Sequence, residues 1–394
     1  MPTPITTMMR PVAGRAASTR GRRRRRRLVV VLVLALLVLV PGVSYARALT
    51  FPGSASWQMR SVEWVRDNGG SGLVNTIENW YYSRKAPSNG PPDQAALPAW
   101  SRSKVVTPSP ARPRARVDSP PVIGRVVRAT ALPGENTWHP GRLDAAGLPA
   151  IYTAFLRPDA AHTSVVAGAA WLRKGDSTAH LVAGTRQPGG TGWPGDARVP
   201  PSDVPSLIAT FNSGWKLKDI TGGFYLNGRS AGPLAAGQAS VVIDNRGAIS
   251  VGQWGRDLMM RPTTVAVRQN LHLIVDRGRP VDGLVINRGT LWGSARNQLQ
   301  YTWRSGIGTD KSGDTVYVAG AGLTLQTLAN ALSQAGVVRG MELDIHSGMA
   351  SFASWTPDRG GTTATPVKLL PGMSRSADRY LAPDQRDFFY LTLR

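Results

Sequence analysis

The sequence predicts an α+β fold, a sheet-rich single globular domain that follows an N-terminal hydrophobic anchor and a Pro-rich linker. Three observations predict it. From about Val122 onward, short apolar runs alternate with turn residues. One strongly amphipathic helix interrupts them, opening at Thr324. The 43 Gly and 30 Pro in 394 residues require many turns and leave little room for long helical bundles.

The N-terminus comes first. Residues 1–27 hold nine arginines, six of them in the unbroken run Arg22–Arg27, and no acidic residue precedes Glu63. Residues 28–46 are uncharged, and Leu28 to Val40 are purely aliphatic, barely enough to cross a bilayer as a helix. The arginine run predicts that residues 1–27 stay in the cytoplasm and that everything after the apolar segment is translocated. Two readings of the segment compete. A signal anchor fits its long basic lead and high hydrophobicity, giving a single-pass protein of the cell membrane that meets lipid through residues 28–46. Ser44-Tyr45-Ala46 also has the small residues that signal peptidase favours, which would give secretion after cleavage near Ala46.

Residues 57–82 read as an amphipathic helical region broken near Asn68-Gly69-Gly70, with Trp57, Val65, Leu73, Ile77, Trp80 and Tyr81 as apolar anchors. Docking onto the main domain is preferred to packing on a membrane surface, because Glu63, Asp67 and Glu78 disfavour anionic lipid. Residues 83–121 form the Pro-rich linker, too extended to contribute a core. The domain proper is 122–394. Its strand candidates are Ile151–Leu156, Ser164–Leu172, Ser206–Phe211, Ser240–Asp244, Ala248–Val251, Leu271–Val275, Thr315–Ala319, Val337–Ile345 and Phe388–Leu393. The helix between the last three has Thr324 as N-cap, Leu325, Leu328, Ala329 and Leu332 on one face, and Gly336 as its stop.

Composition narrows the function. The formal net charge is +23, carried by 40 Arg and only 7 Lys, a bias expected of a GC-rich coding sequence. No zinc-finger spacing, RNA-binding aromatic signature or basic heptad region occurs, so no nucleic-acid partner is expected. The absence of cysteine excludes disulfides, thiolate metal sites and a cysteine nucleophile.

Four polar clusters carry the candidate chemistry. Thr210 to Gly214 places Asn212, both donor and acceptor, among small residues. Arg268-Gln269-Asn270 interrupts an apolar stretch. Arg304, followed by Ser305-Gly306-Ile307-Gly308, offers a guanidinium fork that matches phosphate or carboxylate oxygens beside what reads as a turn. In Met341 to His346, strand alternation puts Glu342, Asp344 and His346 on one face, three ionisable groups that need partners or water.

The order of these clusters, with the helix before the last, resembles the phosphodiester glycosidase family, the domain of the mannose-6-phosphate uncovering enzyme, in a divergent actinobacterial-like branch. The matching segments are Phe211-Asn212-Ser213-Gly214-Trp215, Arg268-Gln269-Asn270-Leu271-His272, Arg304-Ser305-Gly306-Ile307-Gly308 and Leu343-Asp344-Ile345-His346-Ser347-Gly348, so the motifs span about residues 205–394. Residues 122–204 look like the family's variable front part. Two departures stand out: Ser213 replaces a glycine, and Ile345-His346-Ser347 replaces a glycine triplet. The resemblance implies extracytoplasmic hydrolysis of sugar-1-phosphodiesters in envelope glycans, with a phosphorylated or anionic glycan as partner. It implies Asp344 as base or nucleophile, Glu342 as its partner and His346 as acid/base. Arg268 and Arg304 then become the anion clamp, and Asn212 and Asn270 hold sugar hydroxyls. No cofactor is required; a divalent metal on Asp344 is compatible with this chemistry, although no ligand spacing demands one. The alternative is a non-catalytic glycan-binding or envelope scaffolding domain of the same fold.

Overall fold

The computed structural model describes residues 18–102, 119–287, 291–293 and 298–394. The first part of the basic tail and residues 103–118 of the expected linker lie outside the described residues. Four α-helices are described: α1 (Ser18–Leu49), α2 (Trp57–Val65), α3 (Ser71–Ser83) and α4 (Leu325–Gln334). Within α1, Arg25–Leu49 is long and apolar enough to cross a membrane. The break expected near Asn68 separates α2 from α3. Asn68 leaves the helical region at φ −106°, ψ 32°, and Gly69 takes φ +91°, a conformation glycine adopts without steric cost.

The strands form three antiparallel sheets. The eight-stranded sheet runs, in spatial order, His139–Pro140, Ile151–Leu156, Ala167–Leu172, Thr315–Leu323, Thr302–Thr309, Arg339–Ile345, Leu273–Asp276 and Arg279–Pro280. One five-stranded sheet places Thr264–Gln269 at its centre; the other places Leu207–Asn212 between Phe352–Pro357 and Phe388–Leu393. Met341, Leu343, Ile307 and Tyr317 on one face of the eight-stranded sheet meet Phe211, Phe389, Val241 and Val251 of the smaller sheets in the main core. The opposite face is covered by α4, whose Leu325, Leu328, Ala329 and Leu332 pack with Ile274, Val316 and Val318. The central strands are therefore buried on both faces; Thr315–Leu323 reads as a continuous apolar run, whereas Thr302–Thr309 and Arg339–Ile345 carry Arg304, Glu342 and Asp344 into the interior.

Thr324 caps α4 in a reciprocal capping box with Thr327, and Gly336 ends it at φ +89°. Two expectations need correction. Arg304 to Gly308 is not beside a turn but inside the strand Thr302–Thr309. Its glycines serve close approach rather than turning: a Cβ on Gly308 would lie 2.3 Å from Val337 and 2.5 Å from the Arg339 carbonyl oxygen, and one on Gly306 would lie 3.0 Å from Leu332. The second correction concerns the linker, whose described part is not free of the core. Leu97 is buried in the main cluster, the Trp100 ring packs at a tilt against His139 and Phe155, and Ser164 donates its backbone N–H to the Ser88 carbonyl.

Candidate active site

The strand Arg339–Ile345 delivers two carboxylates to one side of the sheet, and the two meet different surroundings. Glu342 points into the interior. Its Oε1 accepts a hydrogen bond from Arg304 Nη1 at 2.6 Å, and both side chains are fully buried. Arg304 also donates to the Leu323 carbonyl and to Gln298 Oε1. Burial pushes the Glu342 pKa up against the pull of Arg304. Arg304 and Glu342 thus form a sealed internal pair.

Two residues further on, Asp344 reaches a cavity of about 910 Å³ at the end of the strand. Arg386 Nη2 donates to Asp344 Oδ2 at 2.7 Å and to the Gly214 carbonyl at 2.9 Å. The Ile345 backbone N–H donates to Asp344 Oδ1. Burial is the largest influence on this carboxyl; Arg386 and the Ile345 N–H oppose it and Glu63 adds to it, and the pKa is pushed up to about 6. Burial works against the charge on Arg386, but Asp344 and Glu63 outweigh it and raise its pKa.

His346 also faces the cavity, though not by strand alternation. The strand ends at Ile345, and His346 takes φ +77°, the left-handed conformation that non-glycine residues seldom adopt. Its Nε2 lies 3.2 Å from Glu78 Oε2, and its ring rests against Tyr82. Burial, reinforced by Arg66 and Arg304, lowers its pKa to about 3, so the imidazole stays neutral at ordinary pH.

The other expected site residues are structural supports beneath the cavity. Asn212 donates to Ser213 O and Ser305 Oγ and accepts from Tyr317 Oη and the Ser351 N–H. Asn270 donates to the Glu342 and Leu343 carbonyls, pinning the strand that carries Asp344. Arg268 is paired with Asp387 at 2.6 Å and donates to the carbonyls of Gln269 and Trp215. Asn212, Arg268, Asn270, Arg304 and Glu342 do not line the cavity; Asp344 and His346 do.

The remaining wall comes from residues that sequence reasoning did not place at the site. Arg386 stands in Asp384-Gln385-Arg386-Asp387, a charged run immediately before the last strand, and that run was the available signal. Helices α2 and α3 close one side. Lys216 pairs with Glu63 and Asp67 at 2.7 Å each, Lys218 with Asp67 at 3.2 Å, and Arg66 with Glu78. Burial raises the Glu63 pKa, but Lys216 outweighs it and the net shift is downward; at Glu78 burial wins and the shift is upward. The cavity is thus lined by the cations Arg66, Lys216, Lys218 and Arg386 and by the carboxyls Glu63, Glu78, Asp219 and Asp344, with Asp344 beside Arg386 at the end of the strand. Among the described residues, no group of three or more His, Asp or Glu side chains comes together to hold a metal ion.

No family model matches the chain, and no curated relative does. Among solved structures, the chain is similar to the catalytic domain of zebrafish N-acetylglucosamine-1-phosphodiester alpha-N-acetylglucosaminidase, auto-inhibited by its pro-peptide. That match has 14% identity and a TM-score of 0.41, over 64% of this chain and 86% of that one. A hypothetical protein from Synechocystis is similar at 13% identity and a TM-score of 0.32, over 58% of this chain and 59% of that one. Likeness of this degree is a distant fold relationship, and the functional reading rests on the cavity itself.

Proposed function

We propose that the chain is a membrane-anchored, extracytoplasmic hydrolase of sugar-1-phosphodiesters, with Asp344 as its catalytic carboxylate. The observation that carries this reading is the Asp344 carboxyl, held at a strand end inside a large cavity beside Arg386, with its pKa pushed up to about 6. A carboxylate with that pKa is mostly ionised at neutral pH and basic enough to take a proton from water. The cations around it suit a diester phosphate, which leaves well without strong help from an acid. In the proposed reaction Asp344 acts at the anomeric carbon, as nucleophile or through an activated water, while Arg386 and Lys216 take up charge on the departing phosphate. His346, neutral, is a hydrogen-bonding wall rather than an acid. Arg304, Arg268, Asn212 and Asn270 hold the frame.

Anchoring is supported by α1, which stays helical through Ala46. Tyr45 Oη is 2.7 Å from Ser61 Oγ, and Trp64 Nε1 donates to Ser44 Oγ at 3.0 Å. The segment that a signal peptidase would cut is thus part of the packing of α2.

A second reading, glycan binding without turnover, is favoured by one observation: Glu63, Asp67 and Glu78 already engage the cationic wall. The full-length protein, incubated with a panel of sugar-1-phosphodiesters, separates the two. Release of reducing sugar and phosphomonoester that disappears in Asp344→Asn supports the hydrolase. Binding without release supports the second reading, and neither outcome overturns both.

A further inference from the structure

Helix α3 has two distinct faces. Asn75, Glu78, Asn79 and Tyr82 turn toward the cavity and the domain: Gln300 donates to Asn79 Oδ1, and Tyr301 donates its N–H to the Tyr82 carbonyl. Leu73, Ile77, Trp80 and Tyr81 turn the other way, at the spacing of a single helical stripe, and are 65%, 55%, 59% and 45% exposed. Trp57 on α2 is equally exposed. At the end of the stripe, Arg84 lies over the Trp80 ring at 4.6 Å and Lys85 over the Tyr81 ring at 5.0 Å. No acidic residue interrupts this outer stripe. The three carboxylates that argue against lipid on sequence grounds are all turned inward, Glu63 and Asp67 onto Lys216 and Glu78 onto His346 and Arg66.

We infer that this outer face lies in the headgroup layer of the membrane that α1 spans, which holds the candidate active site within one helix diameter of the lipid. The inference rests on reading α1 as a membrane span. Continuity with α1 selects the bilayer as occupant. The uncharged stretch of α1 ends at Ala46, and α2 folds back so that Trp64 meets Ser44 and Ser61 meets Tyr45. The junction between α2 and α3 is therefore held at the level where α1 leaves the apolar layer. Trp and Tyr flanked by Arg and Lys is the composition that settles at a membrane interface, rings at the headgroups and charges on the phosphates. A helix is about 10–12 Å across with its side chains, which sets the separation between lipid and cavity wall.

The chain has no cysteine, so a single introduced one reports one position. Full-length protein is reconstituted in vesicles containing phosphatidylglycerol, with an environment-sensitive fluorophore on Ile77→Cys, on Leu36→Cys in α1, or on Arg359→Cys in a domain loop. The quenchers are lipids carrying a nitroxide near the headgroup for Ile77→Cys and Arg359→Cys, and at mid-chain for Leu36→Cys, which sits near the centre of the apolar layer. The inference expects Ile77→Cys and Leu36→Cys to lose most of their fluorescence and Arg359→Cys to lose none. Quenching at Leu36→Cys with Ile77→Cys untouched overturns it and leaves the span intact. Absence of quenching at both overturns the span and the inference together. Shielding of Ile77→Cys that grows with protein density identifies a second copy as the occupant and also overturns it.

Discussion

Glu342 and Asp344 lie two residues apart on one strand, point to the same side of the sheet, and each meets an arginine. The Arg304–Glu342 pair is sealed, with neither side chain exposed, whereas the Arg386–Asp344 pair borders a cavity of about 910 Å³. Residue type and strand alternation are the same in both; access is what differs. A sealed pair holds the sheet, because removing one partner strands a charge in the interior. A pair at a cavity wall can exchange its partner for a ligand. An arginine beside small residues is therefore no sign of an anion site until its exposure is known.

The largest effect expected is on the sealed pair. Glu342→Gln leaves Arg304 buried and uncompensated and should cost about 3–5 kcal/mol in denaturant unfolding. The double variant Arg304→Met, Glu342→Leu should recover most of that loss, because two apolar groups leave no orphan charge. Failure of the double variant to recover would break the contrast between support and site. At the cavity, Arg386→Lys should lower turnover of a sugar-1-phosphodiester by about 10²-fold, since an ammonium cannot reproduce the guanidinium fork, and should leave the unfolding midpoint nearly unchanged.

Acid dependence sharpens the same comparison. Asp344 has a folded pKa near 6 against an ordinary 3.8. Its ionisation therefore costs stability: the domain is favoured below 3.8 and loses about 3 kcal/mol of this contribution as pH rises through 6. Turnover should show the opposite trend, rising with an apparent pKa near 6 as the carboxylate forms. His346→Gln should leave that limb in place, because His346 is already neutral there. The smallest effect expected is for His346→Gly. Relief of the left-handed backbone, about 1 kcal/mol, is offset by loss of the contacts with Glu78 and Tyr82, so stability should shift by less than about 1 kcal/mol in a thermal melt.

Much of the frame was legible in the sequence. Ile151–Leu156 and Phe388–Leu393 are read from their apolar runs with the bounds they adopt, and Thr324 announces α4 through its hydroxyl and the stripe behind it. The strand Thr302–Thr309 was not legible as one, because Gly306 and Gly308 carry the same letters whether glycine turns a chain or lets a neighbouring helix or strand approach it closely. Alternation placed Glu342 and Asp344 together, but could not see that the strand stops at Ile345, where the backbone of His346 reverses hand. Arg386 was missed because its role depends on a partner 42 residues away in sequence. The direction of Glu63, Asp67 and Glu78 was hidden for the same reason: a helical stripe shows which residues share a face, not what that face meets.

The central claim is that Asp344 acts and Glu342 supports, and measuring turnover and unfolding side by side in Asp344→Asn and Glu342→Gln tests it most directly. The account predicts that Asp344→Asn loses at least about 10²–10³ in kcat on a sugar-1-phosphodiester. Its unfolding midpoint at pH 7 should fall by less than that of Glu342→Gln, because Arg386 borders the cavity and keeps the Gly214 carbonyl and the nearby charge of Glu63 when the carboxylate is gone. Glu342→Gln should do the reverse, with a fallen midpoint and a kcat per folded molecule close to that of the parent. An Asp344→Asn protein that turns over normally, or a Glu342→Gln protein that is stable and inactive, would contradict it.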